Sequence, residues 1–389
     1  MYEILSHEEC CIKTCSFDSS KTYPKNIPNL TINRKTEQFS CGIFSSYPNS
    51  YIMKLFHKIP GLQNQTYTTQ LTAVLSDCFG YSDFYSNGLN NQGWHAFDVI
   101  TNCELLQKKW ARDYQYNYQN VYQISIEQIK KMKPDVVYIH DLNTWGRAEL
   151  LDAIKPHTQL IVGQVDYLLT AQSLDLQGFD IIFSSLPHYV EKFNQQGVLS
   201  YYQPLAFDGR VLTKIGTHYK NYPITFIGGF SQHHKNRIEF LEKIYQKVKF
   251  DIWGYGVDTI QGSSILKEKH HGEVCGLEMF KLMCQSQIVL NHHCDFVEND
   301  ANNLRLFEAT GCGALLITDY KDNLNDLFEV GKEVVAYRSS EECIDLIHYY
   351  MKHPREARLI AEAGQRRTLR DHSYMKRMGV LNEILKKHM

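Results

Sequence analysis

The chain has 389 residues, of which 43% are hydrophobic and 22% charged, and its formal net charge is −2. That length exceeds what one ordinary core fills, so two domains are expected. The composition is that of a water-soluble globular protein, and the near-neutral balance gives no basic field for nucleic acid or for an anionic membrane.

No stretch approaches the roughly 18 apolar residues that span a bilayer. The N-terminus, MYEILSHEECC, has neither a basic n-region nor a continuous apolar run, so no signal peptide is read and a cytoplasmic location is expected. The eleven cysteines are odd in number and irregularly spaced. Cys10, Cys11 and Cys15 lack a second pair at metal-ligand spacing, while Cys275, Cys284, Cys294 and Cys312 read as small buried hydrophobes. Reduced thiols in a cytosolic enzyme fit this pattern.

In chain order, residues 1–38 show little periodicity and read as an arm or small extension. FSCGIFSSYPNSY (39–51) reads as a first strand running into a ligand-facing loop that carries Tyr47. TYTTQLTAVLSDCFG is a helical pattern, and Tyr81, Asp83 and Tyr85 follow in an expected loop as candidate ligand contacts. Tyr114, Tyr118, Val121 and Tyr122 recur at helical spacing and read as packing. IEQIKKMKPDVVYIHDL gives a helix, a proline breaker and the strand Val136–Ile139, which delivers His140 to its C-terminal edge. LIVGQVDYLL and FDIIFSSLPHYVEKFNQQGV continue the alternation, with Gly163-Gln164 and Ser184-Ser185 read as strand ends. Residues 39–205 thus form one Rossmann-like domain and 206–222 the crossing to the next.

A second α/β unit opens with ITFIGGFSQHHKNRIEFLEKI, whose Gly228-Gly229 after a strand lets a backbone approach a ligand. It is not the dinucleotide fingerprint, because GGFSQH lacks the G-x-G-x-x-G order. VKFDIWGYGVD adds a strand ending in Trp253-Gly254-Tyr255-Gly256. Three His-His pairs (233–234, 270–271, 292–293) invite a metal reading, yet neighbours on a strand face opposite ways, and no metal is expected.

NDANNLRLFEATGCGALLITD (299–319) is the most informative stretch. Asn and Asp open an amphipathic segment, Gly311 and Gly313 close it, and Ala314–Thr318 reads as a buried strand. Arg305 and Glu308 share one helical face. The free N–H groups at Asn303 and Leu304 suit a phosphate, whereas Glu308, a turn further in, suits neutral hydroxyls. Phosphate beside hydroxyls is what a nucleotide-sugar presents.

Asp300 and Glu308, with seven residues between them, resemble the Glu-x7-Glu pair of retaining group 1 glycosyltransferases of the GT-B fold. NNLRLFEATGCGALLITD looks most like the branch that includes spore-maturation-type proteins, though the first acid here is Asp. PDVVYIHD resembles that family's PDVVHxH strand, with Tyr138 in place of its first His, and GQVD and FSSLPHYVEKFNQQGV also look like this branch. The likeness runs from about Phe39 to the end and is strongest over 224–374.

The resemblance implies two Rossmann-like domains with parallel sheets facing across a cleft, the second over 223–370 and a helix over 371–389 crossing back. It implies a nucleoside-diphosphate-sugar donor of UDP or GDP type, no further cofactor, and an acceptor that the sequence leaves unidentified, with Tyr47, Tyr81, Asp83 and Tyr85 as its candidate contacts. Gly228, Gly229, Arg237, Asn303 and Leu304 would meet the pyrophosphate, assisted by Arg305, and Trp253, Gly254 and Tyr255 would border the base. Glu308 would take the ribose, Asp300 and Asn302 would approach the sugar, and His140 would meet it from the first domain. The alternatives are a non-catalytic nucleotide-sugar-binding subunit and an epimerase of the same fold. Peripheral membrane contact and the oligomeric state are left open.

Overall fold

The structure, a computed structural model, describes residues 38–169, 176–230, 234–294, 297 and 299–389. The expectations for residues 1–37, with Cys10, Cys11 and Cys15, and for His233 lie outside them.

The first sheet holds β1 (Ser40–Ser45), β2 (His95–Ile100), β3 (Val136–Ile139), β4 (Leu160–Val165), β5 (Ile181–Ser184) and β6 (Ser200–Tyr202) in the order β2-β1-β3-β4-β5-β6. Every pairing is parallel, with Cys41 opposite Val136 and Val136 opposite Leu160. These strands are apolar on both faces because helices cover both. Ile43, Tyr138, Val162 and Phe183 pack to one side, and Phe44, Val137, Ile139 and Ile161 to the other, the two-residue alternation of a pleated strand.

The second sheet holds β7 (Tyr222–Ile227), β8 (Asp251–Trp253), β9 (Ser286–Leu290), β10 (Leu315–Asp319) and β11 (Val335–Tyr337), ordered β11-β10-β9-β7-β8 and again parallel. Chain order reverses between β1 and β3 in the first sheet and between β7 and β9 in the second. Ligands of open α/β sheets bind beyond the strand ends at such reversals. His140 follows β3, and Gly228 and Asn291 follow β7 and β9, so the two reversals place these residues at the cleft.

The last helix, Tyr374–His388, returns to the first domain. Trp94 Nε1 donates to Asn382 Oδ1 at 2.8 Å, and the Tyr201 hydroxyl and His388 Nε2 are 2.9 Å apart. Gly88 admits Met378: a Cβ there would lie 2.4 Å from Met378 Cγ. One apolar cluster therefore runs from the first sheet through Phe207, Met378 and Leu381 to Leu306 and Leu316.

Three local readings change. Gly163 and Gln164 lie inside β4 rather than at its end, because Gly163 leaves room for Phe179 and Leu142 while Gln164 accepts from the Tyr138 hydroxyl at 2.5 Å. Residues 206–222 are not plain linker: they carry the helix Arg210–Ile215, and Phe207 N–H donates to the His372 carbonyl. Tyr114 and Tyr118 fall in a break between helices Glu104–Asp113 and Val121–Met132, although Tyr114, Tyr116 and Tyr118 do pack on Trp110, Ala111 and Ile124. Among the described residues no helix is long and apolar enough to cross a membrane.

Candidate functional site

In the second domain two glycine loops are packed backbone to backbone. Gly228 N–H donates to the Trp253 carbonyl at 3.0 Å, and Phe230 N–H to the Tyr255 carbonyl at 2.9 Å. A Cβ on Gly254, whose φ is +146°, would sit 1.7 Å from the Gly228 oxygen. One on Gly256, at φ +78°, would sit 2.1 Å from the Phe230 oxygen. Only glycine fits both the conformation and the space. This corrects the reading of Gly228, whose amide is committed to the neighbouring loop and is not offered to a ligand. Gly229 lies beneath the Tyr255 ring, which is 58% exposed. Trp253 stacks on His271, with ring centroids 4.5 Å apart.

Arg237 also differs from expectation. Its side chain is buried, with Nε donating to the His292 carbonyl at 2.9 Å and Nη1 to the Gly229 carbonyl at 3.0 Å. Nη2 lies 3.3 Å from Cys294 Sγ. Its guanidinium ties the loop after β7 to the loop after β9 instead of pointing into open space. Cys275, Cys284 and Cys294 are half-buried, not core; Cys312 is buried.

The helix Leu304–Gly311 follows β9 after the intervening residues 291–303. Asn303 caps it by accepting from Leu306 N–H at 3.2 Å, and the Asn303 amide donates to Asn291 Oδ1 at 2.9 Å. Asn291 in turn donates to Thr318 Oγ1 at 2.9 Å, so the helix start is registered to both β9 and β10. The first free N–H groups, at Leu304 and Arg305, point out of this end. One turn inside, Arg305 Nη1 meets Glu308 Oε2 at 2.8 Å, with side chains only 13% and 10% exposed. Arg305 Nε donates to the Ile227 carbonyl at 3.1 Å, and Nη1 lies 3.2 Å from the Met283 sulfur. The pair thus sits under the strand end that leads to Gly229. A carboxylate this dry needs donors, and it has one cation with lone pairs to spare.

In the first domain, His140 is buried and neither ring nitrogen has a partner among the described residues. Tyr81 and Tyr85 meet its ring edge-on, with centroids at 4.2 and 4.6 Å. Burial pushes the imidazole down to about 3, so it is neutral at physiological pH.

The acceptor expectations divide. Tyr47 is buried against Tyr51 and Phe79. Tyr85 is in the helix Phe84–Asn91 rather than a loop, buried, its hydroxyl 3.3 Å from Gln164 Oε1 and accepting from Gln203 at 3.1 Å. Asp83 is held by Arg210 through two bonds of 2.9 and 3.0 Å. Of the four, Tyr81 and Tyr85 pack against His140, and of these two Tyr81 is the half-buried one.

The two halves touch across the cleft. Asp300 Oδ2 is 3.2 Å from His188 Nδ1, and the Asn302 amide donates to the Asp166 carbonyl at 3.4 Å. The Asp166 Oδ2 atom is buried without a partner among the described residues, and burial pushes this carboxyl up to about 7. The Tyr374 hydroxyl, on the crossing helix, is likewise buried and unpartnered, its ring 5.6 Å from that of Tyr85. Lys54 of the first domain also pairs with Glu273 of the second.

The histidine pairs serve separate partners. His270 Nε2 lies 2.8 Å from the Gly254 carbonyl and His271 Nε2 2.8 Å from Asp251. His292 is 3.0 Å from the Tyr337 hydroxyl, while His293 is 2.7 Å from Asp319 Oδ1. Burial opposes ionisation of Asp319, yet the imidazole of His293, with His292 and Lys321, holds its carboxyl well below the usual range.

The sequence motifs assign no role to His188, Asn291, Asp166 or Tyr374. Asn291 and Asp166 each follow a buried strand directly, a signal that marks them; nothing local marks His188 or Tyr374.

Comparison with known proteins agrees on architecture. Residues 235–383, under half of the chain, match the family model described as glycosyl transferase-like. No curated protein matches the chain. Among solved structures, a glycosyltransferase from Rickettsia africae ESF-5 aligns with a TM-score of 0.53 at 12% identity, covering 90% of this chain and 99% of that one. The Anabaena protein Alr3699/HepE in complex with UDP-glucose aligns with a TM-score of 0.55 at 11% identity, over 90% of this chain and 100% of that one. Sucrose-phosphate synthase from Thermosynechococcus elongatus aligns with a TM-score of 0.52 at 9% identity, over 90% and 99%. At such identities the likeness is one of fold, and the two facing parallel-sheet domains are the GT-B fold.

Proposed function

We propose that this protein is a glycosyltransferase that moves a sugar from a nucleoside-diphosphate sugar of UDP or GDP type to a hydroxyl-bearing acceptor, with retention of configuration and without a metal. The observation that carries the reading is the buried Arg305–Glu308 pair beneath the end of β7, at the reversal point of the second sheet. In it, Glu308 takes the ribose hydroxyls; the Gly229 amide and the start of helix Leu304–Gly311 take the pyrophosphate, with Arg305 balancing the charge. Tyr255 and Trp253 border the base, and Arg237 positions Gly229. Asp300 and Asn302 meet the sugar, with neutral His140 opposite them. Bringing the domains together excludes water and aligns the acceptor. The match over 235–383 and the UDP-glucose complex of the Anabaena protein support a sugar-nucleotide donor.

A thermal-shift panel tests this: UDP- or GDP-sugars stabilise the protein, whereas NAD does not. A ligand at a hundred times its Kd adds about 2.7 kcal/mol. Equal stabilisation by NAD contradicts the reading.

A further inference from the structure

Asp300 is the shortest acid a protein can place, and the structure sets a side chain of the other domain in front of it. His188 is the second residue of helix Pro187–Gln195, whose leading proline fixes the entry of the chain. Its Nδ1 stands 3.2 Å from Asp300 Oδ2, and the two side chains are 25% and 19% exposed. Both partners are themselves held. The Asp300 N–H donates to the Val297 carbonyl, and the next residue, Ala301, donates its N–H to Asn323 Oδ1. The His188 ring lies edge-on to Tyr189, with centroids 4.8 Å apart. Asn302, two residues on, makes its own bond across the cleft to the Asp166 carbonyl.

We infer that His188 is a positioning residue for the sugar: from the opposite domain it holds Asp300 Oδ2, so that Oδ1 is the oxygen turned toward a sugar hydroxyl. The inference rests on the donor reading above. It links sugar recognition to domain closure, because this hydrogen bond exists only while helix Pro187–Gln195 and the loop before helix Leu304–Gly311 are together. A nucleoside diphosphate, held by the second domain alone, does not depend on it.

Titration calorimetry on the full chain with UDP, UDP-glucose, GDP and GDP-mannose tests this on wild type, H188A, H188N, D300N and the double variant H188A/D300N. In H188A the sugar conjugate weakens about five- to tenfold, somewhat less than a fully buried charge-assisted hydrogen bond gives, since the pair is partly exposed. The free diphosphate stays within about twofold. H188N, which keeps a donor of similar reach, recovers most of the loss, and the double variant is no worse than D300N. Additive effects of H188A and D300N, or equal effects of H188A on diphosphate and conjugate, overturn the inference while leaving the donor reading intact. A wild type that binds none of the four ligands removes the donor reading and this inference with it.

Discussion

Glu308→Gln separates the two roles that one carboxylate plays. The side chain keeps its shape and an oxygen for Arg305 Nη1, now 2.8 Å from Oε2, but loses its charge. The bond from Arg305 stays charge-assisted through its donor, and what is lost is the carboxylate's charge, at an intramolecular cost of roughly 1–1.5 kcal/mol, about the surplus of a charged over a neutral hydrogen bond. Little is recovered from solvent, since both side chains are nearly dry. Nor does Arg305 find a substitute anion: Nε is already on the Ile227 carbonyl and its other neighbours are the Met279 and Met283 sulfurs. At about 2–4 °C per kcal/mol for a domain of ordinary size, Tm falls by roughly 2–6 °C. Binding changes separately. Replacing one or two charged hydrogen bonds to ribose hydroxyls by neutral ones lowers nucleoside-diphosphate affinity about tenfold or more. Differential scanning fluorimetry without ligand and calorimetry with UDP and GDP read the two effects. A variant with lowered Tm but unchanged affinity refutes the ribose role and leaves the pair structural; one with neither change refutes the whole assignment.

Three further outcomes are expected. Turnover survives EDTA, because Arg305 and the helix amides supply the positive field; complete loss restored by a divalent cation contradicts this. His140→Ala lowers kcat while nucleotide Kd holds. Because burial sets His140 near 3, well under the ordinary histidine value, its neutral form contributes stability above about pH 6.5 that is lost as pH falls toward 3, and the variant's acid-unfolding curve is correspondingly shallower. Gly254→Ala, whose Cβ would meet the Gly228 oxygen at 1.7 Å, displaces the loop after β7 and weakens nucleotide binding well over tenfold, with a Tm loss that ligand no longer restores; wild-type calorimetry for this variant removes the loop from the site.

The alternation of strands and helices was legible because a buried parallel strand is a short apolar run with few disguises, as in Val136–Ile139 and Leu315–Asp319. So was the adjacency of Arg305 and Glu308, since three residues on a helix bring side chains together. What the sequence could not carry is which partner a group has already taken. Gly228 looked like a ligand amide, but β8 lies beside β7 and claims it. Arg237 looked like a free cation, yet two carbonyls from separate loops surround it. Tyr85 reads as a loop residue because no local pattern shows that Gln164 and Gln203 meet its hydroxyl inside the first domain. His188 and Tyr374 reach the cleft only through the placement of one domain on the other.

Following donor consumption by proton NMR, with no acceptor but water, tests sugar transfer from a nucleotide-sugar without intermediary assumptions. A UDP- or GDP-sugar is expected to hydrolyse slowly in the presence of EDTA, with the first free sugar carrying the anomeric configuration of the donor. Binding of the nucleotide-sugar with no hydrolysis and no transfer to any supplied acceptor, or its conversion to an epimeric nucleotide-sugar, contradicts it.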